Sequence, residues 1–154
     1  MIIYLKLYIQ KVWKKNFYST KLIELGSTAF RQPFADSHCK YVHGYNLKAR
    51  FYFKSSILDD NNWVVDFGAF KGLREELKKT FDHKTIISKK DPELHWFRIA
   101  HQKGIIDLIE MEDISIEMFA QFCLNLAEKY TLERVICYKV EVFEHEKNSG
   151  IYEP

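Results

Sequence analysis

Residues 39–53 read CKYVHGYNLKARFYF and join a loop that carries Cys39 and His43 to a segment with strict two-residue alternation. Over residues 47–53 every second position is apolar, and the positions between them hold Lys, Arg and Tyr. This period, with its aromatic residues, is typical of a half-buried β-strand. The residue types leave three interpretations of the preceding loop open: half of a metal site, a catalytic thiol, or an ordinary loop.

Three further segments favour extended structure. Residues 18–26 are a candidate first strand, and residues 63–67, WVVDF, follow a turn-rich break as a short extended piece. Residues 134–144 alternate between apolar and polar side chains and predict a last long strand. A short final strand is expected around Ile151.

Between these strands the apolar period lengthens to three and four residues. Residues 67–81 predict an amphipathic helix with Asp66 as its N-cap. Residues 91–104 predict a second, short helix that Asp91 can cap, and residues 115–130 predict a third, longer one. Strands that flank a helical block indicate an α+β domain, in which an antiparallel sheet carries helices on one face.

The composition is that of one globular domain. The 154 residues are 47% hydrophobic, which is enough to bury a core, and the formal net charge is only +2. We expect no nucleic-acid partner, because nucleic-acid binders concentrate Lys and Arg on one face. The N-terminal segment is apolar before it is basic, the reverse of a secretory signal, and is too short to span a bilayer. We therefore expect a cytoplasmic protein without a membrane partner.

The three cysteines have no disulfide framework. Their odd number and irregular spacing favour a reducing compartment. Cys123 and Cys137 lie in apolar periodic runs and are interpreted as buried hydrophobic residues. Cys39 lies in a polar loop and is the cysteine with a candidate chemical role.

Five segments, in order along the chain, resemble the motifs of the 6-pyruvoyltetrahydropterin synthase and 6-carboxytetrahydropterin synthase family. The first matches a Cys-x-x-x-His-Gly-His pattern, the third a Leu-Asp-His pattern and the fourth a Pro-Thr-x-Glu pattern. Together they cover roughly residues 18–152. The segments are CKYVHGYNLKARF (39–51), NWVVDFGAFK (62–71), FDHKTI (81–86), ISIEMFA (114–120) and VEVFEHEKNSGIY (140–152).

The resemblance implies the T-fold, a sheet of four antiparallel strands with two main helices on one face. Three such subunits close into a barrel and two barrels stack into a hexamer, with active sites at subunit boundaries. Residues 18–154 would form this single domain, and residues 1–17 are an N-terminal extension without a family counterpart. Residues 88–113 exceed the usual connection and are interpreted as an inserted short helix.

The resemblance also implies a catalytic thiol and its proton relay. Cys39 matches the family cysteine that removes a proton from the pterin side chain, which requires a thiolate helped by a cationic or histidine neighbour. Asp82 and His83 match the relay pair, although neighbours on an extended segment need not hydrogen-bond each other. The alternatives are a passive loop thiol and a histidine that merely ends a helix. A Cys39–His43 ligand pair is a further alternative, but metal binding would remove the thiolate as a base.

Glu144 matches the family residue that anchors the pterin ring. The ring presents an amino group and a ring N–H side by side, and a carboxylate accepts both in parallel hydrogen bonds. The alternative is a solvated surface glutamate. Arg31, Lys48 and Arg50 are candidates to contact a triphosphate, or are solvated strand residues.

The family binds zinc through three histidines, and this sequence departs from that pattern. Phe30 stands at the first ligand position, His43 at the second and Tyr45 at the third. A phenyl ring has no donor atom, and a phenol, with a pKa of about 10, is not a usual zinc ligand. His38 or His145 would have to substitute. We therefore expect the family zinc to be lost or weakly bound.

The implied activity is a pterin-converting lyase that acts on 7,8-dihydroneopterin triphosphate, as 6-carboxytetrahydropterin synthase does on the route to queuosine. Two alternatives stay open. One is a metal-independent enzyme for another pterin or a purine-like ligand. The other is a non-catalytic T-fold binding module.

Overall fold

The structure is a computed structural model that describes residues 15–154. This part of the chain holds a six-stranded sheet, three α-helices and three short 3-10 helices at His38–Lys40, Phe67–Phe70 and Glu128–Tyr130. The predicted extension over residues 1–17 lies largely outside the described residues. In chain order the elements are β1 (Phe17–Phe30), β2 (His43–Ser55), α1 (Lys71–Phe81), β3 (Lys84–Ser88), α2 (Leu94–Gln102), β4 (Leu108–Met111), α3 (Ile116–Ala127), β5 (Ile136–His145) and β6 (Asn148–Tyr152).

The sheet order is β4-β3-β1-β2-β5-β6. Strands β1, β2, β5 and β6 pair in antiparallel fashion, whereas β3 runs parallel to β1 and β4 runs parallel to β3. The prediction of a four-stranded antiparallel sheet is therefore right for four strands and wrong for the whole sheet. The sheet is mixed and carries two more strands.

The two missed strands lack the alternation that identified β2 and β5. In β3 the last four of its five residues are all buried, and its sequence, KTIIS, does not alternate between apolar and polar residues. Strand β4 has only four residues and lies inside the segment that was interpreted as an inserted helix. Residues 88–113 thus contribute α2 and β4 together. The predicted extended piece at 63–67 forms no strand and leads instead into the 3-10 helix.

Helices α1 and α3 pack against one face of the sheet, as predicted. Buried residues follow the helical period on α1 at Leu73, Leu77 and Phe81, and α3 buries most of its length. The Asp66 carboxylate caps the 3-10 helix that leads into α1 by accepting from the Gly68 amide at 2.7 Å. The core between helices and sheet is rich in aromatic rings, with Phe53 stacked on Phe70 at 4.8 Å between ring centroids.

The helix-facing rows of the sheet run on toward one end of the molecule. On β2 the buried row that includes Leu47 continues through Tyr45 and His43, which are half-buried. On β1 the same row ends at Phe30, which pairs in register with His43. Side chains at the end of β1 and the start of β2 therefore face the start of α3. Within residues 15–154, no helix combines the length and apolar character that crossing a membrane requires.

Candidate active site

A pocket of ≈ 290 Å³ lies where β1 ends, β2 and β6 begin and the N-terminus of α3 approaches the sheet. Cys39 and Glu144, which the sequence assigned to one ligand from motifs about a hundred residues apart, both line it. The remaining lining residues are Phe30, Gln32, His43, Ser115, Ile116, Glu117, Asn148 and Ser149. One chain therefore brings the candidate thiol and the candidate anchor to one cavity.

Larger cavities exist elsewhere, but their lining carries no thiol. A cavity of ≈ 400 Å³ near Trp63 is lined mainly by apolar side chains. Another, of ≈ 490 Å³, is lined by Lys48 and Arg50 and shares Glu144 with the smaller pocket. Chemistry rather than volume identifies the smaller pocket as the candidate site.

A short turn holds Cys39 at the pocket. The Ser37 hydroxyl accepts from the Cys39 amide at 3.2 Å, and the Cys39 carbonyl accepts from the Gln32 amide at 2.9 Å. Cys39 is half-exposed, whereas the other two cysteines are buried as predicted. Burial raises the pKa of Cys123 far above its ordinary value and that of Cys137 to about 12. Cys39 is thus the one accessible thiol of the three.

The floor of the pocket is the first turn of α3. The Ser115 hydroxyl accepts from the Met118 amide at 3.1 Å and caps the helix, and Glu117 in its first turn lines the pocket together with Glu144. Gly150 on β6 permits this approach, because a Cβ there would lie 2.8 Å from the Glu117 nitrogen. Sequence reasoning gave Glu117 no role. Its place in the ISIEMFA segment was the available signal.

The first family ligand position is filled by a core residue. Phe30 is only 2% exposed and meets Phe119 edge-on at 5.4 Å between ring centroids. Its ring also lies 4.9 Å from that of His43. A phenyl ring so placed offers no donor atom to a metal.

Tyr45, at the third ligand position, remains a protonated phenol. Burial raises the pKa of Tyr45, and the charges of Glu144 and Cys39 raise it further. A phenol that keeps its proton is a hydrogen-bond donor rather than a metal ligand.

The histidines do not supply the missing ligands. His43 contacts the Tyr41 carbonyl through Nδ1 at 2.8 Å, which leaves Nε2 free in the neutral ring. His38 is exposed and does not line the pocket. His145 is engaged by its own turn, where Nδ1 accepts from the Lys147 amide at 3.1 Å and Nε2 contacts Asn148 at 3.2 Å.

These residues do not fit a zinc ion. Across residues 15–154, no three His, Cys, Asp or Glu side chains gather closely enough to hold a metal. Of the three positions that the resemblance assigns to ligands, only His43 offers a usual zinc donor atom. Zinc sites take at least three protein ligands.

Asp82 and His83 lie away from this pocket, at the junction of α1 and β3. His83 adopts a left-handed backbone with φ of 59°, which turns its side chain back toward its neighbour. The Asp82 Oδ1 therefore lies 2.9 Å from the His83 Nδ1, a contact that extended backbone geometry would not produce. The His83 side chain is 86% exposed.

Asp82 is seated against a bulge in β1. Gly26 has φ of 103° at this bulge, and a Cβ there would lie 2.2 Å from the Asp82 Oδ1. The same oxygen accepts from the Ser27 amide at 3.2 Å. The backbone of β1 thus orients the carboxylate, and the carboxylate orients the imidazole.

Comparison with known proteins identifies the class of protein that this fold and pocket define. The family model of 6-pyruvoyl tetrahydropterin synthase matches residues 20–154. The chain belongs to the 6-pyruvoyl tetrahydropterin synthase family, as its motifs predicted. No curated protein matches the sequence significantly.

Solved structures share the fold at low sequence identity. An uncharacterized protein from Wolinella succinogenes is 16% identical with a TM-score of 0.78, over 90% of this chain and 98% of that one. A catalytic-residue mutant of Plasmodium vivax 6-pyruvoyltetrahydropterin synthase is 16% identical with a TM-score of 0.63, over 90% and 98%. The Caenorhabditis elegans 6-pyruvoyl tetrahydropterin synthase is 16% identical with a TM-score of 0.64, over 91% and 96%.

Proposed function

We propose that this chain is a pterin-converting lyase of the 6-carboxytetrahydropterin synthase type, acting on 7,8-dihydroneopterin triphosphate. It would release acetaldehyde and triphosphate on the route to queuosine. The observation that carries the proposal is the shared pocket of Cys39 and Glu144. Family membership supports the chemistry, and the pocket supports the residues.

Glu144 anchors the ring in this proposal. A carboxylate meets the amino and ring N–H groups of a pterin with two parallel hydrogen bonds, and this pairing is both strong and directional. Glu117, in the first turn of α3, adds a second carboxylate for the remaining ring donors. Lys48 and Arg50 line the adjoining cavity that Glu144 also borders, where cationic side chains suit a triphosphate.

Cys39 removes the side-chain proton, and the Asp82–His83 pair relays it. Since the pair lies outside the pocket of its own chain, the proposal requires a neighbouring subunit to bring it there, as in a trimer or hexamer with sites at subunit boundaries. The exposure of His83 and its strained backbone support this role, because such conformations cluster at functional sites. Tyr45 donates a hydrogen bond to the oxyanion that forms on the side chain.

The aromatic residues at the zinc positions favour a second candidate. A related enzyme would use the same pocket without metal, on another pterin or a purine-like ligand. Buried Phe30 and the protonated Tyr45 phenol are the specific observations behind it. In that case Glu144 still holds the ring, and the conversion of dihydroneopterin triphosphate is absent.

Product analysis tests the first proposal. The purified full-length chain is incubated with 7,8-dihydroneopterin triphosphate, with and without added zinc, and 6-carboxytetrahydropterin and acetaldehyde are measured. Formation of both products, and their loss in Cys39→Ser and His83→Ala, is the expected result. Absence of product in both conditions rules out the lyase.

Ring binding then separates the two remaining functions. Binding of dihydroneopterin that survives a chelator and disappears in Glu144→Ala indicates the metal-independent enzyme. A non-catalytic binding module predicts that Cys39→Ser and His83→Ala leave the function unchanged.

A further inference from the structure

The inserted segment holds a buried carboxylate that is bound to the end of β1. The Asp91 side chain is 0% exposed and pairs with the Arg31 guanidinium in a two-pronged contact. Nε of Arg31 donates to one carboxylate oxygen at 2.7 Å and Nη2 donates to the other at 2.8 Å. A buried carboxylate requires such a partner, so Arg31 is held rather than free to meet a phosphate.

Arg31 also contacts the loop that carries the candidate thiol. Its Nη1 donates to the Lys40 carbonyl at 3.4 Å, and the next residue, Gln32, donates its amide to the Cys39 carbonyl at 2.9 Å. The Gln32 side chain donates to the Ile114 carbonyl at 3.2 Å, directly after the inserted segment. Asp91, near the start of the insertion, thus binds Arg31, and Ile114, directly after its end, binds Gln32. Arg31 and Gln32 are the two residues that support the Cys39 loop.

We propose that Asp91 is a positioning residue, which fixes the Cys39 loop through the rigid fork of Arg31. The guanidinium is planar, so the two contacts with Asp91 fix the direction of the third nitrogen, which reaches the Lys40 carbonyl at 3.4 Å. Phe97, which also belongs to the insertion, packs against the Arg31 guanidinium, whose Cζ lies 5.7 Å from the Phe97 ring centroid. This contact further restricts the guanidinium. The insertion therefore supports the candidate active-site loop from outside.

The catalytic consequence rests on the proposed function, but the structural claim does not. Cys39 is the accessible cysteine, so its alkylation rate by iodoacetamide reports the freedom of the loop without any substrate. Peptide mass spectrometry separates its labelling from that of the buried thiols. The full-length chain is used throughout.

The test compares Asp91→Asn with a matched control from the same insertion. Arg98 and Glu110 form a similar two-pronged pair at 2.7 Å that is more exposed than the Arg31–Asp91 pair, so Glu110→Gln serves as the control. Asp91→Asn is expected to raise the alkylation rate by a factor of about 5 to 30. Glu110→Gln is expected to leave the rate unchanged. Equal rates in the two variants overturn the proposal.

A second variant covers a loss of folding. Arg31→Lys keeps the charge opposite Asp91 but removes the fork, so we expect a folded protein whose Cys39 alkylation still rises. If Arg31→Lys melts like the wild type and alkylates like it, the fork does not position the loop.

Turnover separates positioning from general stability. If the lyase activity is found, Asp91→Asn is expected to lower kcat about tenfold or more, because small displacements of a reacting group are costly, while KM stays near the wild-type value. KM is spared because Glu144 lies on β5. A rise in KM with unchanged kcat contradicts the proposal. If the protein has no lyase activity, only this kinetic measurement is lost, and the alkylation experiment still tests the proposal.

Discussion

The two sides of the candidate pocket differ in what they keep of the family pattern. On one side, Cys39 and Glu144 stand at their motif positions, and Glu117 joins them from the first turn of α3. On the other side lies Phe30, which belongs to the core, with the Tyr45 ring 6.2 Å away between ring centroids. The motif resemblance places a histidine at each of these two positions. In the proposed function, ring binding by Glu144 and proton removal by Cys39 therefore use residues other than those at the family's metal positions.

Restoring the histidines is expected to produce the largest change. The double variant Phe30→His with Tyr45→His places three imidazoles at the family positions together with His43, which is the minimum set for zinc. We expect the wild-type chain to retain no zinc after purification and the variant to retain about one ion per chain. Mass spectrometry of the metal content measures both.

The matched control for that experiment is the single variant Tyr45→His, which leaves Phe30 in place. It is expected to bind zinc poorly because it provides only two histidines. Wild-type protein that carries stoichiometric zinc would contradict the expectation that Phe30 and Tyr45 prevent zinc binding.

Removing the anchor carboxylate is expected to have the next largest effect. Glu144→Ala deletes an acceptor of two charge-assisted hydrogen bonds, and we expect dihydroneopterin affinity to fall about 100-fold, or ~3 kcal/mol. Calorimetric titration measures the change. Glu146→Ala, two residues along in the exposed turn, is the control and should bind like the wild type. Equal losses in both variants would contradict the anchor role.

A smaller effect is expected at the bulge that seats Asp82. Gly26→Ala combines a strained φ of 103° with a clash against the Asp82 carboxylate, and we expect a loss of about 1–3 kcal/mol in the free energy of unfolding. Urea denaturation measures it. Gly104→Ala is the control, because its φ is 70° but a Cβ there meets nothing within 4 Å. A loss of stability no larger than in the control would show that the Asp82 carboxylate does not pack closely against Gly26.

The sequence predicted those parts of the fold that have a clear period. Alternation identified β2 and β5, and steps of three and four residues identified α1 and α3. Strand β3 was missed because it is short and buried on both faces, so its sequence has no apolar–polar alternation that would distinguish a strand from a helix. Strand β4 was missed because it is short and lies in the segment that was interpreted as an inserted helix.

The residues of the site were also predicted only in part. Motif positions indicated Cys39 and Glu144, and the structure puts both at one pocket. The contact between Asp82 and His83 was not predictable, because a left-handed histidine cannot be inferred from residue type. The tie between Arg31 and Asp91 depends on how an insertion folds back on β1, which local sequence does not encode.

Ligand protection of Cys39 tests most directly whether the thiol and the Glu144 carboxylate share one fused-ring ligand. Cys39 is alkylated with iodoacetamide in the presence of a chelator, once with dihydroneopterin and once without it. The pH is about 8, at which the two buried thiols, whose pKa is raised, stay protonated. We expect the ligand to slow alkylation in the wild-type chain and to leave the rate unchanged in Glu144→Ala. Alkylation that the ligand does not slow, or slows equally in the two proteins, would contradict the account.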